Sequence, residues 1–319
     1  MYIYGPLSED QPVTSKRTII LPPGSEAETP LGETGRSIER EKENQEYIPV
    51  IIKRTDEVLK HPDDTLYRAI KEGFEQFQRR SQSLLLSSIA AGLILGFVAL
   101  LVAFSTHLYP EDANWAVKRL ISAAFYPFGF IVCIISGAKL YTEQTATAIY
   151  PVLEGKVSLF SLFQLWGVVL IGNLAGTLLS SFLILSAEEA VHIGSGYVLV
   201  AEHMLNMGTI PMLMSSILAG WLMAQGSWLV LSTSTSTAQI ACIYIVTFII
   251  GVGGLTHSIA GSAELFLAYL MADDILLISC LKVILIAVVG NSVGGSFFVG
   301  ILNYAHIRKT QELLNTNNN

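Results

Sequence analysis

Residues 251–264 read GVGGLTHSIAGSAE, and how this stretch is read decides the fold. Apolar sequence flanks it, ACIYIVTFII (241–250) before and LFLAYLM (265–271) after, so four glycines, a threonine, two serines and a histidine interrupt one long hydrophobic run. A helix broken at membrane depth frees backbone N–H and C=O groups that water cannot satisfy, and it survives only where it is packed inside protein or lines a cavity. An ionisable residue in such a break marks a functional position. That residue is His257, set against the plainer reading of a core histidine bonded to a backbone carbonyl.

Working outward, composition supports a membrane setting. The 319 residues are 51% hydrophobic and 14% charged. Of the 45 Asp, Glu, Lys and Arg side chains, 27 fall in positions 1–80 and 15 in positions 81–304, which leaves the second region as an integral membrane domain. Cys133, Cys242 and Cys280 sit in apolar runs without CxxC or metal spacing and read as small buried hydrophobes, so neither metal nor cofactor is expected. The net charge of -7 comes with no basic stripe, which argues against nucleic acid as a partner.

The amino-terminal sequence lacks the charged and apolar regions of a cleaved signal peptide. Residues 1–60 are polar, with Pro22, Pro23, Gly24 and the run EREKENQE (39–46), and are expected to be a mostly disordered cytoplasmic region. Over 61–82, Leu66, Ala69, Ile70, Phe74 and Phe77 recur at helical spacing, with Asp63, Asp64 or Thr65 available as a cap. Such a helix would lie on the membrane surface, plug a cytoplasmic mouth or simply lead into the first span. Residues 83–305 form the transmembrane domain, and 306–319 a cytoplasmic tail.

A span needs about 20 apolar residues, which places segments near 83–106, 120–140, 158–186, 208–232, 237–271 and 276–305. The fifth is too long for one straight span and too short for two, as expected of a broken helix. The second ends in a similar way, polar after Leu140 and apolar again before Pro151. SSIAAGLILG (87–96) resembles SSILAGWLMA (215–224), and GNLAG (172–176) resembles GNSVG (290–294). One break lies between the members of each pair, 140–147 and 253–262. The chain therefore reads as two three-helix repeats, and because three is odd the second enters from the opposite side, an inverted pair whose breaks meet near the midplane. With both termini cytoplasmic, Arg79, Arg80, Lys156, Arg308 and Lys309 fall inside and Lys118, Arg119 and Lys282 outside.

GAKLYTEQT (137–145), LWGVVLIGNLAGT (165–177), THSIAG (256–261) and VVGNSVGGSFFVG (288–300) together resemble the formate/nitrite transporter family, most of all its YfdC-like branch. The resemblance covers roughly 62–309. It implies an all-α, aquaporin-like six-helix bundle, assembled as a homopentamer in the inner (plasma) membrane, that passes small monovalent anions or their weak acids with protons. By resemblance His257 is the central histidine and Thr142 the threonine of the first break. Leu140, Tyr141, Tyr126, Phe130, Met223 and Ile250 would line the constrictions. Four positions depart from the family. Thr256 replaces an acid before the histidine, Lys139 replaces a loop acid, Gly220 stands at an asparagine position, and the lysine expected before the fourth span is missing.

The sequence-level mechanism is passage as the neutral acid. An isolated ion in a low-dielectric slit costs on the order of tens of kcal/mol, whereas protonating a carboxylate of pKa ~4 at pH 7 costs roughly 4 kcal/mol. His257 is the side chain in the breaks whose ordinary pKa lies near neutrality. It either donates the proton or stays neutral while bulk water supplies it. Lys139 offers positive potential or faces the cytoplasmic interface. The alternatives are a neutral-solute or water channel of the same fold and an intramembrane hydrolase using Ser136, Ser258 or Ser262 with His257.

Overall fold

The structure, a computed structural model, describes the backbone of residues 19–21, 25–27 and 62–317 and the side chains of residues 62–309. Ile19–Leu21 (β1) and Ser25–Ala27 (β2) pair antiparallel with Ile20 opposite Glu26. The rest of the polar lead, for which disorder is expected, lies outside the described residues.

Six described helices are long and apolar enough to cross a membrane: Ser81–Leu108, Trp115–Ile135, Leu159–Ser186, Thr209–Ser232, Ser236–Gly253 and Leu277–Lys309. Their burial runs opposite to that of a water-soluble bundle. Asn173, Asn291, Thr142 and His257 are 0–1% exposed, while Phe163, Phe182, Ile278 and Leu285 are more than 60% exposed. Apolar side chains outside and satisfied polar groups inside suit a hydrocarbon solvent.

The first repeat contains α2 (Ser81–Ser105), α3 (Trp115–Phe125) and α4 (Pro127–Ile135), α5 (Tyr141–Thr147), α6 (Tyr150–Leu153) and α7 (Leu159–Ser186). Pro127 separates α3 from α4 because proline brings no N–H and clashes with the preceding turn. After α8 (Glu188–Val191) and α9 (Gly196–Leu205), the second repeat contains α10 (Thr209–Ser232), α11 (Ser236–Gly253), α12 (Ser258–Met271) and α13 (Leu277–Val293). Gly294–Ile301 continues α13 as a π-helical stretch into α14 (Leu302–Asn317). There Ser296 Oγ donates to Thr145 O at 2.9 Å, tying the wide turn to α5.

The two breaks are shorter than the sequence suggests. The non-helical backbone lies at 136–140 and 254–257, and 141–147 and 258–262 are already helix. Small polar residues obscure the helix starts because they serve as readily in a first turn as in a loop.

α2 packs on α7 as α10 packs on α13. A Cβ added at Gly92 would lie 2.1 Å from Asn173 O, and one at Gly220 would lie 2.3 Å from Asn291 O. Position 220 therefore has no room for the asparagine that the resemblance puts there. Gly96 closes on Ser180, Gly172 on Ser88, Gly176 on Ile89, Gly290 on Ser216 and Gly294 on Ile217, all within one protomer.

The amphipathic segment is α1 (Pro62–Gln78). It starts at Pro62, so Asp63 and Asp64 lie inside its first turn, where negative charge suits the helix dipole, rather than before it. Leu66, Ala69 and Ile70 bury against Tyr150 and Ile307, and Gly73 meets Thr147 O, so α1 docks on the bundle beneath α5 and α6.

Candidate functional site

The two broken segments are built alike. Gly137 (φ 75°) and Gly254 (φ 58°) each turn the chain through the left-handed region that glycine enters without steric cost. Three residues later comes the N-cap, Leu140 or His257, and the helix begins with the next residue, α5 at Tyr141 and α12 at Ser258.

An asparagine from the middle of a long helix latches each start. Asn173 accepts the Tyr141 N–H at 2.8 Å and donates to Ser88 O and Lys139 O at 2.8 and 2.9 Å. Asn291 accepts the Ser258 N–H at 2.8 Å and donates to Ser216 O and Thr256 O at 2.7 and 3.1 Å. One primary amide thus satisfies a freed donor and two carbonyls at each break.

His257 joins the halves. Its Nδ1 accepts the N–H groups of Ile259 and Ala260 at 3.2 and 3.1 Å, capping α12. An accepting Nδ1 places the ring proton on Nε2, which donates to Thr142 Oγ1 at 2.9 Å. The first turn of a helix also disfavours a positive charge. Charging the ring would require a proton on Nδ1 and the loss of the cap, so this arrangement holds a neutral imidazole.

Apolar groups enclose the pair. Phe130 meets the His257 ring edge-on at 5.0 Å between centroids, and Tyr126 lies 5.1 Å from Phe130. Leu140, Tyr141, Met223 and Ile250 are buried in the same core cluster. The Tyr141 hydroxyl is hydrogen bonded to Ser292 Oγ at 2.7 Å. Thr256 donates its N–H to Ser215 Oγ at 2.9 Å. Lys139 Nζ lies 3.8 Å from Glu72 on α1, so its charge is opposed by a carboxylate.

A cavity of about 430 Å³ opens beside this centre. Of the residues singled out from sequence, its wall contains Tyr126, Ile250, Thr256 and His257, and it does not contain Thr142, Leu140, Tyr141, Phe130, Met223 or Lys139. Lys118, Arg119, His203 and Glu264 also line it. Arg119 donates to Gly253 O at 3.4 Å, and its guanidinium lies 3.3 Å from His203 Nε2. Burial and then the Arg119 charge push the His203 pKa below its ordinary value, so His203 is neutral at pH 7 and accepts from Arg119.

The hydrolase arrangement is missing among the described residues, because no serine bonds to either ring nitrogen of His257. Ser136 donates to Cys133 O and Ser262 to Ile259 O, while Ser258 Oγ is buried with no partner.

The repeat in GNLAG and GNSVG does not by itself give their asparagines a role. A buried amide flanked by close-packing glycines was the signal. In the sequence Arg119 stands only as an outer charge near a span end, and nothing there gives His203 or Glu264 a role.

The sequence profile of the formate/nitrite transporter family matches residues 63–305. The chain is 30% identical to the inner membrane protein YfdC of Escherichia coli over 75% of its own length and 76% of the relative's. In structure it is similar to an FNT family ion channel, with TM-score 0.69 and 19% identity over 76% of this chain and 99% of that one. It is also similar to a pentameric formate channel with formate bound, with TM-score 0.63 and 21% identity over 71% and 97%.

Proposed function

Because this chain belongs to the formate/nitrite transporter family, we propose that it is a proton-linked channel or transporter for a small monovalent anion that crosses the bundle as its neutral weak acid. The observation that carries this reading is the Thr142–His257 hydrogen bond, made between two broken-helix starts in the buried core, where the other polar groups named are uncharged. A neutral imidazole N–H and a hydroxyl can exchange hydrogen bonds with a carboxylic or nitrous acid. They offer a bare anion no compensating charge, and the desolvation cost of tens of kcal/mol then excludes it.

In this mechanism Leu140, Tyr141, Phe130, Met223 and Ile250 keep water out, and Tyr126 and Thr256 line the approach. His257 orients the acid without becoming charged, so the proton enters with the substrate. Transport rather than catalysis fits a histidine whose Nδ1 accepts two backbone N–H groups and whose Nε2–H donates to Thr142, so neither nitrogen is free to take a proton from a hydroxyl.

The protein is further proposed to be a homopentamer in the inner (plasma) membrane with both termini cytoplasmic. Support comes from the pentameric structural relative, the inner-membrane relative and the lysine and arginine distribution. The close-packed glycines of the helix crossings do not contribute to this part, since each meets a neighbour within the protomer.

Proteoliposomes assayed with formate, nitrite, acetate, lactate and hydrosulfide at two pH values test the reading. At least one weak acid should enter faster at the lower external pH and carry a proton with it. Flux insensitive to the proton gradient, or passage of neutral solutes alone, would favour the neutral-solute channel instead.

A further inference from the structure

The cavity beside His257 contains a carboxylate that the mechanism above leaves unused. His257, Gly261 and Glu264 share one face of α12 at i, i+4 and i+7, and all three line the cavity. Glu264 therefore sits two turns, ~10 Å, along the helix from the central ring. Met204 Sδ packs over the gap, 3.1 Å from where a Cβ on Gly261 would lie.

A carboxylate here is out of character for a vestibule that admits anions, because a fixed negative charge repels them. Nor does the carboxyl have a partner to hold it charged: no hydrogen bond or ion pair reaches Glu264 among the described residues, so this half-buried group rests as the neutral acid, which costs less to bury than an unpaired charge. The titratable groups sharing the cavity are Tyr109, Lys118, Arg119, Tyr126, His203 and His257. Arg119 is directed to Gly253 O and His203, and Lys118 lies over the Tyr109 ring. Of the other elements around α12, α2 and α7 carry no titratable side chain. Tyr197 and Glu202 of α9, Tyr141 and Glu143 of α5 and Cys280 of α13 do not line this cavity, Tyr197 donating to Glu188 and Cys280 to Leu265 O. Lys282 of α13 lines a separate cavity with Met207 and Met212.

We propose that Glu264 is the group that protonates the permeating anion in this vestibule, an inference that rests on passage as the neutral acid. The neutral carboxyl donates its proton to a carboxylate oxygen of the substrate. The products are a neutral acid, which moves on past Met204 to His257 and Thr142, and a Glu264 carboxylate. Water in the open cavity then returns a proton from the outer solution, and no redox partner is needed. Lys118 and Arg119 at the cavity wall collect the anion, and Glu264 converts it. His257 is a poor candidate for this step because its Nδ1 is occupied by two backbone N–H groups.

The test is formate uptake into proteoliposomes containing the full chain, followed with an internal pH dye from external pH 5 to 8. Parent, Glu264→Gln and Glu264→Asp are compared after gel filtration shows equal assembly. Relay by Glu264 predicts that Glu264→Gln lowers uptake about 10-fold or more near pH 7.5. The deficit should shrink towards pH 5, where the bulk solution supplies neutral acid, and Glu264→Asp should restore part of the rate.

A simple electrostatic barrier predicts the opposite sign, since removing the negative charge would speed anion entry. Uptake in Glu264→Gln equal to or faster than the parent at all pH values, or an equal loss at every pH in both variants, overturns the proposal. If Glu264→Gln does not assemble, Glu264→Asp decides, because a relay retains its pH dependence at a lower rate and a bystander matches the parent. A parent that carries no weak acid at any pH refutes the transport reading itself, and this inference with it.

Discussion

Replacing Asn291 by alanine should cost more stability than most single substitutions in a helical interior. The side chain is fully buried and makes three hydrogen bonds, accepting from Ser258 N–H and donating to Ser216 O and Thr256 O. Each such bond contributes about 1 kcal/mol net, and a buried group left unpaired costs about 1–3 kcal/mol. The loss should therefore be at least ~3 kcal/mol. For a domain of this size that lowers Tm by roughly 6–12 °C. Alanine also vacates the space beside the second break, so residues 254–260 lose their anchor while the Asn173 latch at the first break is untouched. Thermal unfolding in mild detergent reads the first effect, and hydrogen exchange at Ser258 reads the second. Asn291→Asp should be no milder, because it keeps the acceptor for Ser258 but loses both donors. A Tm within about 2 °C of the parent together with unchanged exchange at Ser258 would show that the latch is not what holds the break.

Thr142→Val keeps shape but deprives His257 Nε2–H of its acceptor, which costs about 1–3 kcal/mol; weak-acid flux should fall roughly 10-fold with assembly intact, measured in proteoliposomes. Gly73→Val places a Cβ that would lie 2.1 Å from Thr147 O, a backbone atom that cannot swing aside. Docking of α1 should weaken by about 1–3 kcal/mol, read as faster limited proteolysis between 62 and 80. By histidine NMR, His203 should titrate below its ordinary value, since burial and the Arg119 cation both disfavour the imidazolium. Arg119→Gln should move that titration upward, and a downward move would contradict the contact.

The span pattern was legible because hydrocarbon leaves a 20-residue apolar signature, and helices such as Leu159–Ser186 fall where the sequence puts them. Pairing of the repeats was legible for a different reason. Helices that approach to backbone contact admit only glycine or another small residue at the crossing, so GNLAG and GNSVG carry the geometry in their letters. Break boundaries were not legible, because the polar atoms that cap a helix and those that line a loop belong to the same residue types. The titratable groups of the cavity were hidden too, since Arg119, His203 and Glu264 are distant in sequence and share one wall only when α3, α9 and α12 pack. The missing lysine before the fourth span left the sequence without an obvious vestibule cation, although α3 supplies two to the same cavity.

The near-symmetry of the two breaks separates what holds the fold from what does chemistry. Glycine turn, asparagine latch and short helix occur in both halves, whereas the residue just before the helix is Leu140 in one and His257 in the other. Leu140 makes no side-chain cap, and α5 forms without one. The fold therefore does not require a polar residue at this position, and on the proposed transport reading the imidazole serves through its Nε2. His257→Leu makes the second half resemble the first. It removes one cap, worth about 1 kcal/mol, and leaves a Thr142 hydroxyl that can turn to a backbone carbonyl. Assembly and a Tm within several degrees of the parent are expected, in contrast to Asn291→Ala, while weak-acid uptake should fall at least 10-fold because the dry centre then has no donor for the acid. If His257→Leu transports at the parent rate, the ring is only a helix cap; if it fails to assemble while Asn291→Ala survives, the division between latch and chemistry is reversed.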